Sequence, residues 1–101
     1  MIARIWHGRV SKEKADEYAD FLQERAVPDY GSVEGLQDLI FLRRNAEDAA
    51  HFVLITLWDS IDAVKKFAGA HPEKAKYYPE DDRFLLEKED ESALYEVFFR
   101  K

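Results

Sequence analysis

The sequence has 101 residues, of which 47% are hydrophobic and 36% are charged, and it contains no cysteine. A single domain over residues 1–101 accounts for this length, and it hides enough surface to form a core without disulfide or metal staples. The formal charge of −6 disfavours a nucleic-acid partner, because neutralising phosphates needs clustered Lys and Arg.

The sequence also argues against a membrane segment and against cysteine chemistry. No apolar run approaches the roughly 20 residues that cross a bilayer, and the N-terminus has no basic region followed by an apolar one. We therefore expect no membrane anchor, no signal peptide and a cytoplasmic location. The absence of cysteine excludes disulfides, a thiol nucleophile and thiolate metal ligands.

The N-terminal third predicts a strand followed by a helix. Met1 to Val10 is rich in β-forming residues and predicts strand one. Ser11 caps a predicted helix over Lys12 to Ala26, in which apolar residues recur at spacings of three or four. Pro28 ends this helix and begins a turn-rich loop.

A hairpin and a second helix are predicted next. Leu36 to Arg44 and about Ala50 to Trp58 read as two strands joined by a short polar connection, so they should pair antiparallel. Asp59 or Ser60 caps a second helix that ends near Gly69.

The last third is predicted to be largely irregular before one closing strand. Pro72 fits the first turn of a short helical continuation through Tyr77. The closing strand runs from Leu94 to Arg100, after a short extended piece at Phe84 to Leu86. The order β-α-β-β-α-β predicts an α+β, ferredoxin-like fold, with a four-stranded antiparallel sheet and both helices on one face.

Strand three is apolar on both of its faces. One face carries His51, Val53, Ile55 and Leu57, and the other carries Phe52, Leu54, Thr56 and Trp58. Two helices cover only one face of a sheet, so the second apolar face needs another cover. We expect a homodimer through this open sheet face, because most soluble oligomers are two-fold homodimers.

Three segments carry a resemblance to a known family. Met1 to His7, the step Leu57 to Ser60 followed by Phe67, and the closing Leu94 to Val97 resemble the antibiotic biosynthesis monooxygenase (ABM) superfamily. The resemblance implies a dimeric α/β barrel with a pocket between each sheet and its own helices. It also implies kinship with cofactor-independent oxygenases of aromatic substrates and with haem-degrading enzymes.

The haem-degrading branch is similar in having an aromatic residue nine positions after the strand-end Trp and a haem-ligating His nineteen positions after it. Counted from Trp58, these positions hold Phe67 and Tyr77 here. The Asn that this branch carries in strand one is replaced by His7 and Gly8. We therefore expect no haem degradation of that kind, and no cofactor.

Histidine and aromatic side chains are the candidates for chemistry. His7, in strand one, is either a catalytic base toward a phenolic substrate or a partly buried structural histidine. His71 is either part of a gate beside the pocket or a surface residue. The candidate substrate-binding residues are Trp6, Tyr30, Trp58, Phe67, His71 and Tyr77, and the aromatic members equally suit a filled core.

Charged residues offer fewer specific interpretations. Arg4, Arg9 and Arg43 either hold an anionic group or lie on the rim of a dimer. The acidic run from Glu80 to Asp82 is interpreted as a solvated loop. No histidine has a recognised ligand spacing to another ligand, so no metal site is predicted.

Two functions remain open from the sequence. The first is a cofactor-independent monooxygenase-like enzyme that acts on an aromatic or phenolic small molecule after a base removes its proton. The second is a non-catalytic small-molecule-binding or stress-associated accessory protein. A pocket-sized cavity with at least two convergent polar side chains would favour the enzyme, and a fully packed space would favour the accessory protein.

Overall fold

The structure, a computed structural model, describes all 101 residues. The first strand of the chain lies inside the sheet and pairs with a neighbour on each side. This strand, β1 (Ile2–Val10), pairs antiparallel with β3 (Ala50–Trp58) on one side and β4 (Ala93–Glu96) on the other. The edge strand β2 (Leu36–Asn45) pairs with β3, giving the order β2-β3-β1-β4. The predicted four-stranded antiparallel, ferredoxin-like sheet is thus confirmed.

The helical segment after β1 extends to Gly31, five residues beyond its predicted end at Ala26. A 3₁₀ turn at Lys12–Lys14 leads into α1 (Ala15–Phe21), a π-helical turn at Leu22–Ala26 and α2 (Val27–Gly31). The prediction that Pro28 ends the helix was wrong. The wider π turn lets the chain restart as α2, so the proline lies in a first turn, where its missing N–H is not needed.

The second helical element, α3 (Ile61–Ala68), has the predicted ends. The Ser60 hydroxyl accepts a hydrogen bond of 3.2 Å from the Ala63 N–H, and Gly69 ends the helix with φ of 92°. None of the helices is long and apolar enough to span a membrane.

The predicted helical continuation from Pro72 through Tyr77 was wrong. This stretch has no helix, and its one β-type contact is a bridge between Lys74 and Glu91. The carbonyls of Pro72 and Lys74 accept hydrogen bonds from the side chain of Arg4, so they are turned away from a helical ladder. A 3₁₀ turn at Pro79–Arg83 follows.

Strand β4 stops four residues before the predicted end at Arg100. Its last paired residue, Glu96, lies opposite Ile2, the first residue of β1, so β1 offers no further partner residues. Phe98 and Phe99 beyond it are 96% and 77% exposed. The predicted extended piece near Leu85 is reduced to an isolated bridge with Val10.

The two faces of the sheet are unequal. Along β3 every second residue is buried under the helices, namely Ala50, Phe52, Leu54, Thr56 and Trp58. The alternate residues face the other way and are only partly buried within one chain. On β2 the same open face presents Ile40 and Leu42, each 46% exposed. The chain therefore leaves one apolar sheet face without a cover.

The connection from α2 to β2 depends on a glycine, and a substitution there tests the helix–sheet spacing. Gly35 has φ of 99°, and a Cβ at this position would lie 2.6 Å from the Cβ of Ala63 in α3. We expect Gly35→Ala to lower the free energy of unfolding by about 1–3 kcal/mol, because it adds backbone strain and overlap.

Gly31→Ala is the matched control, because a Cβ at Gly31 meets no atom within 4 Å. It should change stability by less than about 1 kcal/mol. Urea denaturation of both variants measures the difference, and equal midpoints would contradict this role of Gly35.

Candidate functional site

Five of the predicted substrate-binding residues meet between the sheet and the helices. The rings of Tyr30 and Phe67 stack with centroids 4.1 Å apart, and Trp58 lies 5.8 Å from Phe67. Trp6 belongs to the same buried cluster, and Tyr77 meets it edge-on at 6.0 Å. The sequence candidates Trp6, Tyr30, Trp58, Phe67 and Tyr77 thus form one aromatic interior.

The two tryptophans of this interior differ in their hydrogen bonding. The Trp58 Nε1–H donates to the Thr56 hydroxyl at 2.7 Å, two residues back on the same face of β3. The Nε1–H of Trp6 is buried and has no acceptor. A buried donor without a partner is costly, and it marks a place where an acceptor atom would be stabilised.

The aromatic interior is almost filled by its own side chains. It encloses a cavity of about 10 Å³, close to the smallest space that holds one water molecule. The cavity is lined by Trp6, Tyr18, Leu22, Tyr30, Leu54, Phe67, Lys76, Tyr78 and Asp81. A flat ligand therefore needs part of this lining to move before it can enter.

Two cations border the aromatic interior. Arg4 is 1% exposed and donates from Nη2 to the Lys74 carbonyl at 3.0 Å. The Lys76 ammonium lies 3.1 Å from the Asp29 carboxylate and 4.0 Å from the centre of the Phe67 ring. Burial lowers the pKa of the Arg4 guanidinium below its ordinary value. Arg4 therefore lies in the interior, and the alternative of a position on a dimer rim does not apply to it.

A buried hydrogen-bond chain that sequence reasoning missed closes the interior. The Tyr18 hydroxyl donates to Asp81 at 2.9 Å, and the Tyr78 N–H donates to the other oxygen of Asp81 at 2.7 Å. Burial raises the pKa of Asp81, which is only 2% exposed. The interpretation of this acidic run as fully solvated was therefore wrong for Asp81. Its spacing of three residues after Tyr78 is that of a helix-capping box, which was the available clue.

The chain continues to α2 through the Tyr78 hydroxyl, which donates to Asp29 at 2.6 Å. Burial and this bond raise the pKa of Tyr78. Burial alone would raise the pKa of Asp29, but the hydrogen bonds from Tyr78 and Lys76 outweigh it and lower that pKa. The Asp29 carboxylate is consequently stabilised as an anion by the hydrogen bonds from Lys76 and Tyr78.

A larger groove lies beside the interior, between α1, the π-helical turn and the edge strand β2. It measures about 470 Å³, and seven of its nine lining residues are hydrophobic. The lining consists of Ala19, Leu22, Gln23, Val27, Leu39, Phe41, Leu42, Arg43 and Phe52. Leu22 of the π turn lines both this groove and the interior cavity, so the two spaces adjoin at this side chain.

His7 lies on the opposite face of the sheet from Trp58. Its Nε2 is 3.0 Å from Nδ1 of His51, and its Nδ1 contacts the Glu89 carboxylate. Nε2 of His51 is in turn 3.3 Å from Asp48. The predicted catalytic residue is thus part of a polar cluster on the open face, outside the aromatic interior.

His71 is also separated from the aromatic interior. It is exposed in a shallow hollow whose other lining residues are all charged. No group of three or more His, Asp or Glu side chains is arranged to hold a metal ion.

The fold and this interior define a class of protein. A four-stranded antiparallel sheet, helices on one face and an aromatic layer between them make a ferredoxin-like α+β domain. The family model of antibiotic biosynthesis monooxygenases matches residues 1–76, and the chain belongs to this family. The match includes β1, β2, β3 and α3, and it ends at Lys76 beside the interior.

Comparison with solved structures gives the same fold. A Bacillus cereus protein inferred to be an antibiotic biosynthesis monooxygenase superposes with a TM-score of 0.66 at 15% sequence identity. The superposition covers 99% of this chain and 95% of the other. A search of curated proteins finds no match.

Titration with haem tests whether Tyr77 can act as an iron ligand. The Tyr77 hydroxyl donates to the Glu89 carbonyl at 2.5 Å, and burial raises its pKa, so the phenolate that would bind iron is disfavoured. We expect hemin titrated into the protein to give no sharp Soret band at neutral pH. Visible absorption spectroscopy measures this, and a sharp band that is lost in Tyr77→Phe would contradict it.

Proposed function

We propose that this ABM-family chain is a homodimer that binds an aromatic or phenolic small molecule in the layer between sheet and helices. It acts in the cytoplasm and needs no cofactor. The observation that carries the proposal is the apolar groove of about 470 Å³, which shares the lining residue Leu22 with the aromatic interior. Its size lies within the range of small-molecule sites, and Phe41 and Phe52 give it flat apolar walls.

Binding is favoured over catalysis by the residues that line the groove. Its polar members are Gln23 and Arg43, and Arg43 is paired with Asp16 at 2.8 Å. An amide and a guanidinium orient a ligand, but neither takes a proton from a phenol near neutral pH. The nearly filled interior meets the criterion for a binding or accessory protein. The groove has the size and the two polar side chains of the criterion for an enzyme, but neither of those side chains is a base.

Monooxygenase-like chemistry is the second candidate, and the polar cluster on the open face favours it. Contact with Glu89 orients the His7 ring, and Nε2 must leave its 3.0 Å contact with Nδ1 of His51 before it can act as a general base. Removing a phenolic proton would enrich the ring in electrons for reaction with dioxygen. Because His7 is on the open face, this reaction needs a substrate outside the groove.

Ligand binding in the groove is testable with 2-naphthol as the probe. The chain has two tryptophans, both in the interior, so their fluorescence should fall as the probe binds. Ala19→Phe should weaken binding by about tenfold or more, because the larger ring fills the groove from α1.

Ala70→Phe adds the same ring at an exposed position after α3 and should leave the affinity unchanged. Quenching that is equal in both variants would place the probe outside the groove and contradict the proposal.

An oxygen electrode separates binding from oxidation. If the chain only binds the probe, dioxygen uptake with 2-naphthol should not exceed that of the buffer. If uptake occurs, His7→Ala should abolish it while the fluorescence titration stays unchanged. Uptake that persists in His7→Ala would remove this histidine from the mechanism.

The homodimer is supported by the open sheet face. Ile5, Ile40 and Ile55 lie side by side across three strands there, and no helix covers them. Exposed apolar patches of this kind mark interaction sites, and a second copy offers the same surface in return. The pairing of two such faces would bury the apolar residues that each chain leaves open.

We expect light scattering to give a mass of twice 11.8 kDa at micromolar concentration. Ile55→Asp should convert the dimer to a less stable monomer, because an unpaired buried charge costs several kcal/mol. Ala70→Asp, at an exposed loop position, should remain dimeric. A wild-type mass of one chain would refute the dimer.

A further inference from the structure

Arg4 is a buried cation without an ionic partner. It is 1% exposed, and none of the nine ion pairs in the structure includes it. Arginine is almost never fully buried unless it is paired, because removing its charge from water is expensive. The position therefore needs an explanation beyond packing.

The groups around Arg4 are neutral. Nη2 and Nε donate to the carbonyls of Lys74 and Pro72 at 3.0 and 3.4 Å. The guanidinium carbon lies 5.5 Å from the centre of the Phe67 ring, and the Tyr30 hydroxyl is a further neighbour. None of these partners carries the negative charge that would balance the guanidinium.

The two carboxylates that border the interior, Asp29 and Asp81, accept hydrogen bonds from donors other than Arg4. Asp29 accepts from Tyr78 and Lys76, and Asp81 accepts from Tyr18 and Tyr78. Each has its own donors, so neither serves Arg4.

An unsatisfied donor, the Nε1–H of Trp6, lies two residues from Arg4 along the same strand. Trp6 and Arg4 both face the helices from β1, roughly 7 Å apart along the strand, and the Trp6 Nε1–H has no acceptor. A buried cation and a buried free N–H, both on the helix-facing side of β1 and each beside an aromatic ring, are complementary to an aromatic ring that carries an anionic oxygen.

We infer that Arg4 is the anchor for the charged oxygen of an aromatic anion, a carboxylate or a phenolate, bound in the aromatic interior with Trp6 as a second donor. This assignment rests on the proposed binding of an aromatic ligand between sheet and helices, and it specifies the charge of the ligand and a position in the interior, next to the groove. In the complex the anion takes the place of the Pro72 and Lys74 carbonyls as the acceptor for Arg4. A charged acceptor makes hydrogen bonds roughly twice as strong as a neutral one.

In the segment that holds these carbonyls, side-chain hydrogen bonds from Lys76, Tyr77 and Tyr78 fix the C-terminal end, and residues 72 and 74 lie before that end. Residues 69–78 contain no helix or strand, and the bridge from Lys74 to Glu91 is their one β-type contact. Segments with few such bonds open at a lower free energy than the paired strands do. Withdrawal of Pro72 and Lys74 would uncover the guanidinium, which lies 5.5 Å from the centre of the Phe67 ring, and Phe67 in turn lines the cavity of about 10 Å³.

The test compares 2-naphthoate with 2-naphthamide, which have the same ring system and differ in charge. By fluorescence titration at pH 7, the wild-type protein should bind naphthoate at least about tenfold more tightly. Arg4→Met should lose this preference and still bind naphthamide. Lys66→Met removes a positive charge from the exposed face of α3 and should keep the preference.

Thermal unfolding supplies a readout without ligand. If Arg4 is kept for a ligand, Arg4→Met should unfold at the same Tm or a higher one, because an unpaired buried charge is replaced by an apolar chain. Should Arg4→Met fail to fold, its bonds to the carbonyls are structural and the assignment is overturned.

The remaining outcomes separate the two proposals. Equal affinity for the two probes in the wild type, or a preference that survives Arg4→Met, would overturn the role of Arg4 and leave aromatic binding in place. If neither probe quenches the wild-type fluorescence, aromatic binding itself fails, and the anchor fails with it.

Discussion

The register between β1 and β3 determines which face of the sheet each functional side chain of these two central strands occupies. Ile5 pairs with Ile55 and His7 with Val53, so odd-numbered residues of both central strands share the open face. Even-numbered residues, including Arg4 and Trp6, point under the helices. A slip by one residue would exchange the two sets, because side chains alternate along a strand. The aromatic interior and the histidine cluster are therefore consequences of one pairing.

This division separates two kinds of chemistry that the sequence places next to each other. Trp6 and His7 are neighbours in the chain, yet the sheet lies between their side chains. A ligand held in the interior meets tyrosines, Lys76 and Arg4, whereas a ligand on the open face meets histidines and carboxylates. Catalysis by His7 and binding beside Trp6 therefore cannot act on the same atom of one small ligand.

The sequence was sufficient to predict the elements that depend on short-range patterns. The apolar run of β3, a cap at one of the two candidates Asp59 and Ser60, and the Gly69 end of α3 are local features, and the structure has the run, the cap at Ser60 and the end at Gly69. The π turn before Pro28 and the non-helical residues 69–78 depend on distant partners, as in the bonds from Arg4 to Pro72 and Lys74. The burial of Asp81 likewise requires Tyr18, 63 residues away in the chain. Local propensity carries no information about such contacts.

Family membership explains the architecture more fully than the chemistry. The Bacillus cereus structure shares the fold at 15% identity, a level at which few interior side chains need to agree. In this chain the interior is closed by its own rings and by the carbonyls of residues 72 and 74, so any ligand must compete with groups that also stabilise the fold. A ligand competes best when it offers an interaction that the interior side chains and carbonyls do not already make. The rings already supply apolar contact and the carbonyls supply neutral acceptors, so the missing component is negative charge at Arg4. For the aromatic anion proposed above, the charge at Arg4 would therefore contribute more to binding than the shape of the ring.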